Sequence, residues 1–245
     1  MKKVFASILA LGLLLISCRA TTPTATAIVP TASPVPDSPT ADMTPVASPS
    51  TTDPLDTPWD DRSLFKGGLI ESQQDTLDQL DGATVYHIEF NIEDSIYQIN
   101  GHQDVRYTNT EDVELNEVEF RLFPNILGGQ MEVSEVSVNE QVITPEFGLR
   151  DSLLIVRLPA ALERGQSIEI SMDFALTVPE SVDLNYGVQA YYDSVLALAH
   201  AYPMVCVYDD EGWNAEIPPQ DGDVTYGDAS FYIVQITAPK DLTLV

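Results

Sequence analysis

The chain has 245 residues, with 38 acidic side chains against 11 basic ones and a formal net charge of −27. A chain this acidic argues against nucleic acid as a partner and is repelled by anionic headgroups, so any hold on a membrane must come from something other than charge. Its two cysteines, Cys18 and Cys206, do not make a disulfide framework.

Lys2 and Lys3 precede the apolar run Val4–Ile16, which is too short to span a bilayer and suits the apolar region of a signal peptide. The run ends in Leu15-Ile16-Ser17-Cys18. This junction resembles the bacterial lipobox. Residues 1–17 then read as a lipoprotein signal peptide, and Cys18 as the lipidated residue. Acyl chains contribute roughly 0.8 kcal/mol per buried CH₂, so two or three of them hold even an acidic protein on a bilayer. The expected location is extracytoplasmic, with the protein lipid-anchored to the bacterial cell membrane or surface. Residues 18–58 are rich in Thr, Pro, Ser and Ala and show neither a helical nor a strand period. They cannot bury enough apolar area to offset chain entropy and read as a disordered linker.

Residues 59–82 form a lead-in. Leu69, Ile70, Gln73, Leu77 and Leu80 fall near one helical face and Gly82 closes it, which predicts one short amphipathic helix. From Thr84 the period becomes two. Tyr86, Ile88, Phe90 and Ile92 alternate with polar residues, and this places His87 on the solvent face of a strand. Asn100-Gly101 carries a hairpin signal. Further strands are expected around Val105–Asn109, Val118–Leu122, Val136–Val138 with a turn at Asn139-Glu140, Ser152–Leu158, Ile168–Phe174 and Ser230–Ile236. The stretch from Ser152 to Leu158 is apolar on both faces and reads as a central strand. With turns between strands and no helical crossovers, the fold class is mainly β: an antiparallel multi-sheet, saddle- or sandwich-like domain over residues 83–245, after a short helix.

The search for chemistry returns little. His-Glu-x-x-His, Gly-x-Ser-x-Gly, phosphate-loop and dinucleotide motifs are absent, and the three histidines, His87, His102 and His200, are scattered. No metal ligand set, cofactor or catalytic residue is expected within the chain. Asp209-Asp210-Glu211 and Asp221-Gly222-Asp223 carry oxygen ligands suited to calcium, but their composition is that of surface turns. Cys206, inside Met-Val-Cys-Val-Tyr, reads as a small buried hydrophobe. Aromatic residues concentrate between Tyr186 and Trp213, where core packing is the default role and a binding surface the other.

Several strings in order point to a family. Val85-Tyr86-His87-Ile88, Gly101, Val105-Arg106-Tyr107-Thr108-Asn109, Leu115 and Phe120-Arg121-Leu122-Phe123-Pro124-Asn125 are followed by Tyr202-Pro203, Val207-Tyr208-Asp209, Gly212-Trp213, Pro218, Gly222-Asp223 and Tyr232-x-Val234-x-Ile236-x-x-Pro239. Together they resemble the N-terminal β domain of aminopeptidase N-type zinc metallopeptidases, over about Thr84–Val245. The resemblance implies a β domain that packs on a thermolysin-like zinc domain carrying Gly-x-Met-Glu-Asn and His-Glu-x-x-His. Neither motif is present here, so zinc is expected only in a downstream domain, and peptide substrate only together with that domain. In the family a Gln of the β domain contacts the substrate N-terminus. This sequence departs from the pattern there, with Ala199-His200-Ala201-Tyr202 near the expected place. His200, Tyr202 and Trp213 are therefore the candidate cleft-lining residues.

Leu242-Thr243-Leu244-Val245 reads as the interior of a strand, which suggests a natural protein that continues. The expected role is a non-catalytic domain of a surface-anchored zinc aminopeptidase-like protein. The alternatives are a stand-alone β-sandwich binding or adhesion lipoprotein, and an inactive relative that has lost its zinc domain.

Overall fold

The computed structural model describes residues 53–219 and 225–244. The expected signal peptide, Cys18, most of the expected linker and the Asp221-Gly222-Asp223 string lie outside the described residues.

Two sheets face one another. The larger is built from β1 (Val85–Ile92), β2 (Gln98–Thr108), β4 (Gln130–Val138), β5 (Gln141–Val142), β8 (Ser167–Thr177) and β14 (Phe231–Thr237), in the order β14-β1-β2-β8-β4-β5. The smaller holds β3 (Leu115–Arg121), β6 (Glu146–Gly148), β7 (Leu153–Leu162) and β11 (Met204–Val205), in the order β11-β3-β7-β6. Two hairpins stand apart from them: β9 (Gln189–Tyr192) with β10 (Val195–Leu198), and β12 (Tyr208–Asp209) with β13 (Gly212–Trp213).

Alternation in the sequence sets the core. Tyr86, Ile88 and Phe90 on β1, Ile99 and Val105 on β2, and Ile170, Met172 and Phe174 on β8 all project to one side. Val118, Phe120, Leu154 and Val156 of the smaller sheet meet them there. Burying these faces against each other is the main stabilising term of a sandwich. Asn109, the last residue of the Val-x-Tyr-x-Asn run, is fully buried. Its Nδ2 donates to the Val113 and Leu162 carbonyls at 2.8 Å each, and its Oδ1 accepts from the Glu111 N–H at 2.9 Å, which ties the end of β2 to β7.

A second polar link between the sheets lies in the core. The phenol of Tyr86 is buried in the core and accepts the Val205 N–H of β11 at 3.0 Å. Its ring stacks on Tyr232 of β14 at 4.8 Å, with Tyr202 edge-on at 5.5 Å.

Several expectations need correction. Asn100-Gly101 is not a turn but the middle of β2; the chain reverses at Glu93–Tyr97, where Ile96 takes φ +56°. Gly101 is required for a different reason, since a Cβ there would lie 2.1 Å from Cζ of Phe174. The single lead-in helix is instead a short α1 (Ser63–Lys66) and a 3₁₀ stretch, Glu71–Gln79, separated by Gly67-Gly68. Of the residues read as its apolar face only Leu77 is buried, and Ile70 is exposed. Residues 54–56, read as the end of the linker, form a 3₁₀ turn against β14. The pairing of β1 with β14 is parallel in an otherwise antiparallel sheet. Leu242–Leu244 are not strand.

His87 is the clearest reversal. It does lie on the outer face of β1, yet it is only 6% exposed. The lead-in crosses that face. Trp59 stacks on the imidazole at 4.1 Å, Phe65 packs on Phe231 at 4.8 Å, and Asp60 pairs with Arg106 at 2.8 Å. Burial pushes the His87 pKa down and keeps the ring neutral.

Tyr86→Phe keeps the ring stack and leaves the Val205 N–H without its acceptor. The expected loss is about 1–3 kcal/mol of unfolding free energy, read from urea denaturation of the variant against the parent.

Candidate functional site

The hairpin β9–β10 turns at Asp193-Ser194, both with positive φ, and runs directly into the loop that carries His200. His200 itself takes φ +55°. Its ring lies 4.7 Å from that of Phe123, and its Nε2 is 2.7 Å from the Thr225 hydroxyl. Burial lowers its pKa, so the imidazole is neutral at pH 7 and one of the two atoms in the Thr225 contact donates to the other. Tyr202 packs on the small cluster of Phe123, Leu127 and Met204 and donates its hydroxyl to Tyr232 Oη at 3.0 Å. Burial raises its pKa and it stays a phenol.

His200 and Tyr202 therefore meet around Phe123. Trp213 belongs to a different packing group: it sits on β13 against Tyr208 at 5.2 Å and Tyr107 at 6.0 Å.

Beside the His200 loop lies a cavity of about 330 Å³ lined by Arg121, Phe123, Met204, Cys206, Thr225 and Tyr226, among others. Arg121, at the end of β3, is 4% exposed. Its Nη1 donates to the Ser152 carbonyl at 3.3 Å and to the Ser152 hydroxyl at 3.0 Å; its Nη2 donates to the carbonyls of Ala215 and Glu216. The guanidinium is thus spent on main-chain oxygens and holds the 213–216 segment against the sandwich. Cys206 is buried as expected, and burial pushes its thiol up to about 12. At neutral pH it carries no thiolate, the form in which cysteine attacks or binds metal. The lining thus joins a cation already engaged with main-chain oxygens to Glu216, the Thr225 hydroxyl and the rings of Phe123 and Tyr226.

Sequence reasoning missed a second polar group on the outer face of the larger sheet. The His102 Nδ1 is 2.6 Å from Asp173 Oδ1, its Nε2 is 3.4 Å from Asp104 Oδ1, and Ser171 Oγ lies 3.5 Å away. The register places Glu89, His102, Asp173 and Ser134 in one row across β1, β2, β8 and β4. No periodicity within a single strand reveals such a row. The hydrogen bond to Asp104, together with that to Asp173, raises the His102 pKa to about 9 and lowers that of Asp104. Among the described residues no group of three His, Cys, Asp or Glu side chains is disposed to hold a metal ion. The Asp209–Glu211 segment forms the turn between β12 and β13, with Asp209 Oδ1 accepting the Glu211 N–H.

No family model matches the chain, and no curated protein matches it. Among solved structures it is similar to a mutant of a two-domain M1 zinc metallopeptidase bound to L-tryptophan, with 18% identity and a TM-score of 0.33. It is similar also to the M1 zinc metallopeptidase from Deinococcus radiodurans, with 18% identity and a TM-score of 0.32. Each match covers 41% of this chain and 22% of the other, so this chain spans under a quarter of those proteins. At that identity and score the likeness assigns no function.

Two outcomes follow from this geometry. Folding raises the His102 pKa from 6.5 to about 9, so the charged clamp contributes its full stability below pH 6.5 and loses it as pH rises through about 9. His102→Gln is expected to flatten that alkaline decline in the urea midpoint, by a small amount because the pair is half exposed. Arg121→Met removes the donor to the Ala215 and Glu216 carbonyls, while the Ser152 carbonyl keeps the Leu122 N–H, and is expected to cost about 1.5–3 kcal/mol in the same assay.

Proposed function

We propose that this chain is the non-catalytic N-terminal β domain of a surface-anchored zinc aminopeptidase-like protein, held on the membrane through lipid at Cys18. In this reading it supports a thermolysin-like zinc domain and, with His200 and Tyr202, forms part of the wall of a peptide cleft. The ordered sequence strings that resemble this family support the reading, and they fall on successive elements: β1, β2, β3 and the turn after it, then the 202–213 segment and β14.

The observation that carries it is the β9–β10 hairpin. Leu184, Val188, Tyr192 and Val195 are exposed apolar side chains on this segment and its approach. The approach is firmly rooted: buried Asn185 donates to the Leu127 carbonyl at 2.9 Å and accepts the Gly187 N–H at 2.9 Å. An exposed apolar set on a well-anchored hairpin suits burial against another domain. This hairpin leads straight into His200, which would put the interface beside the cleft.

The test is genetic first. An open reading frame running past the Val245 codon into His-Glu-x-x-His is expected, and a stop codon there overturns the proposal. In the longer protein, Val195→Asp is expected to speed proteolysis between the two domains while the melting of the isolated β domain stays unchanged.

A further inference from the structure

The outer edge of β14 has no strand beside it among the described residues; the 54–56 turn is the other element that packs against this strand. The other sandwich edges are short, with two residues in β5, three in β6 and two in β11. Sheets usually blunt their edges by brevity, by charge or by proline. β14 is seven residues long, and from Ser230 to Thr237 it has neither a charged residue nor a proline.

The main chain is oriented for pairing. Phe231 donates its N–H to the Thr84 carbonyl on the β1 side. By strand alternation, Phe231, Ile233 and Gln235 turn their main-chain groups toward β1, and Tyr232, Val234 and Ile236 turn theirs outward. The side chains of those same outward-bonding residues are also open, at 39, 46 and 43% exposure. They lie on the core side of the sheet, in the row of Tyr86 and Ile88, where the smaller sheet does not cover them. Tyr232 is held rigidly by its stack on Tyr86 and the Tyr202 hydroxyl.

Carboxylates stand at both ends of this neutral strip, with the Arg62 guanidinium over the Phe231 ring, 4.1 Å from its centroid, at the first end. Asp228 precedes it, while Glu93 and Asp94 line a shallow cavity with Thr237 and Pro239 at its far end, and Asp241 follows against the single cation Lys240. A second copy laid antiparallel along β14 would set Asp228 against Glu93, Asp94 and Asp241, between molecules of net charge −27 each. Charge therefore opposes self-pairing and favours a strand with basic ends.

We propose that β14 is a docking edge for an extended segment of a partner protein, apolar at alternate positions and carrying Lys or Arg at both ends, which adds to the larger sheet as a new strand. Main-chain bonds to Tyr232, Val234 and Ile236 supply register, and the acidic ends select the partner.

The test uses the full chain and two synthetic peptides that share an alternating Thr/Val/Ile centre, one with paired lysines at each end and one with paired glutamates. The lysine-ended peptide is expected to bind about tenfold tighter or better, with affinity falling as salt rises. On binding, the amides of Tyr232, Val234 and Ile236 gain hydrogen-exchange protection. Val234→Pro removes only an outward N–H and is expected to weaken binding about tenfold with the β1 pairing intact. Val234→Lys keeps every main-chain donor, places a like charge against the peptide, and decides the matter if the proline variant fails to fold. Equal binding of the two peptides, or indifference to Val234→Lys, overturns the proposal. So does protection of those amides in the free chain, or a dimer that Val234→Lys dissolves, since the edge would then be covered by this chain itself.

Discussion

The buried phenol of Tyr86 is the constraint on which the rest of this sandwich depends. Apolar burial alone lets two sheets slide over one another, because it is non-directional. A hydrogen bond in the core does not, because leaving the Val205 N–H unpaired there is costly. That bond fixes β11, and β11 sits directly after the His200–Tyr202 loop. The same ring stacks on Tyr232, so the position of β14 depends on it as well. One side chain thus sets the larger sheet, the edge of the smaller sheet and the loop beside the cavity.

Basic side chains in this acidic protein are mostly committed. Arg121 is spent on carbonyls, Arg106 on Asp60, Arg157 on Glu117 and Glu146, and Arg164 on Asp112. His102 joins them as a cation held between Asp104 and Asp173. Pairing of exposed groups adds little stability individually. Its larger effect is on the outward field: with these cations paired, the surface presents a surplus of carboxylates.

The lead-in gives the sandwich two unlike halves on its outer face. Trp59, Phe65 and Leu77 cover Val85, His87 and Phe231, where the outer row is apolar or neutral. The rows of Glu89 and Asn91 stay open to solvent and line, with Glu132 and Asp173, a cavity of about 500 Å³. The boundary between them follows the chemistry of the outer row, since a segment carrying Trp and Phe gains by covering Phe231 and not by covering Glu89.

The sequence by itself determined most of the long strands, the side of each that faces the core, and the mainly β class, because a period of two is a local property that burial on one face enforces; it did not locate β5, β6 or the short strands β9–β13, where two to four residues show no period. It also determined the turn at Asn139-Glu140 and the burial of Cys206. It misread Asn100-Gly101, because a glycine marks either a turn or a close approach and only the position of Phe174 decides which. Tertiary structure alone decided the fate of His87, since strand alternation names a face and cannot say what crosses it. The same holds for the parallel pairing of β1 with β14, residues far apart in the chain, and for the row that brings Asp173 to His102. At the cleft candidates the sequence named His200, Tyr202 and Trp213 together by their proximity in the chain. The structure gathers the first two around Phe123 and gives Trp213 to Tyr107 and Tyr208, because contacts between strands follow register, which no single segment encodes.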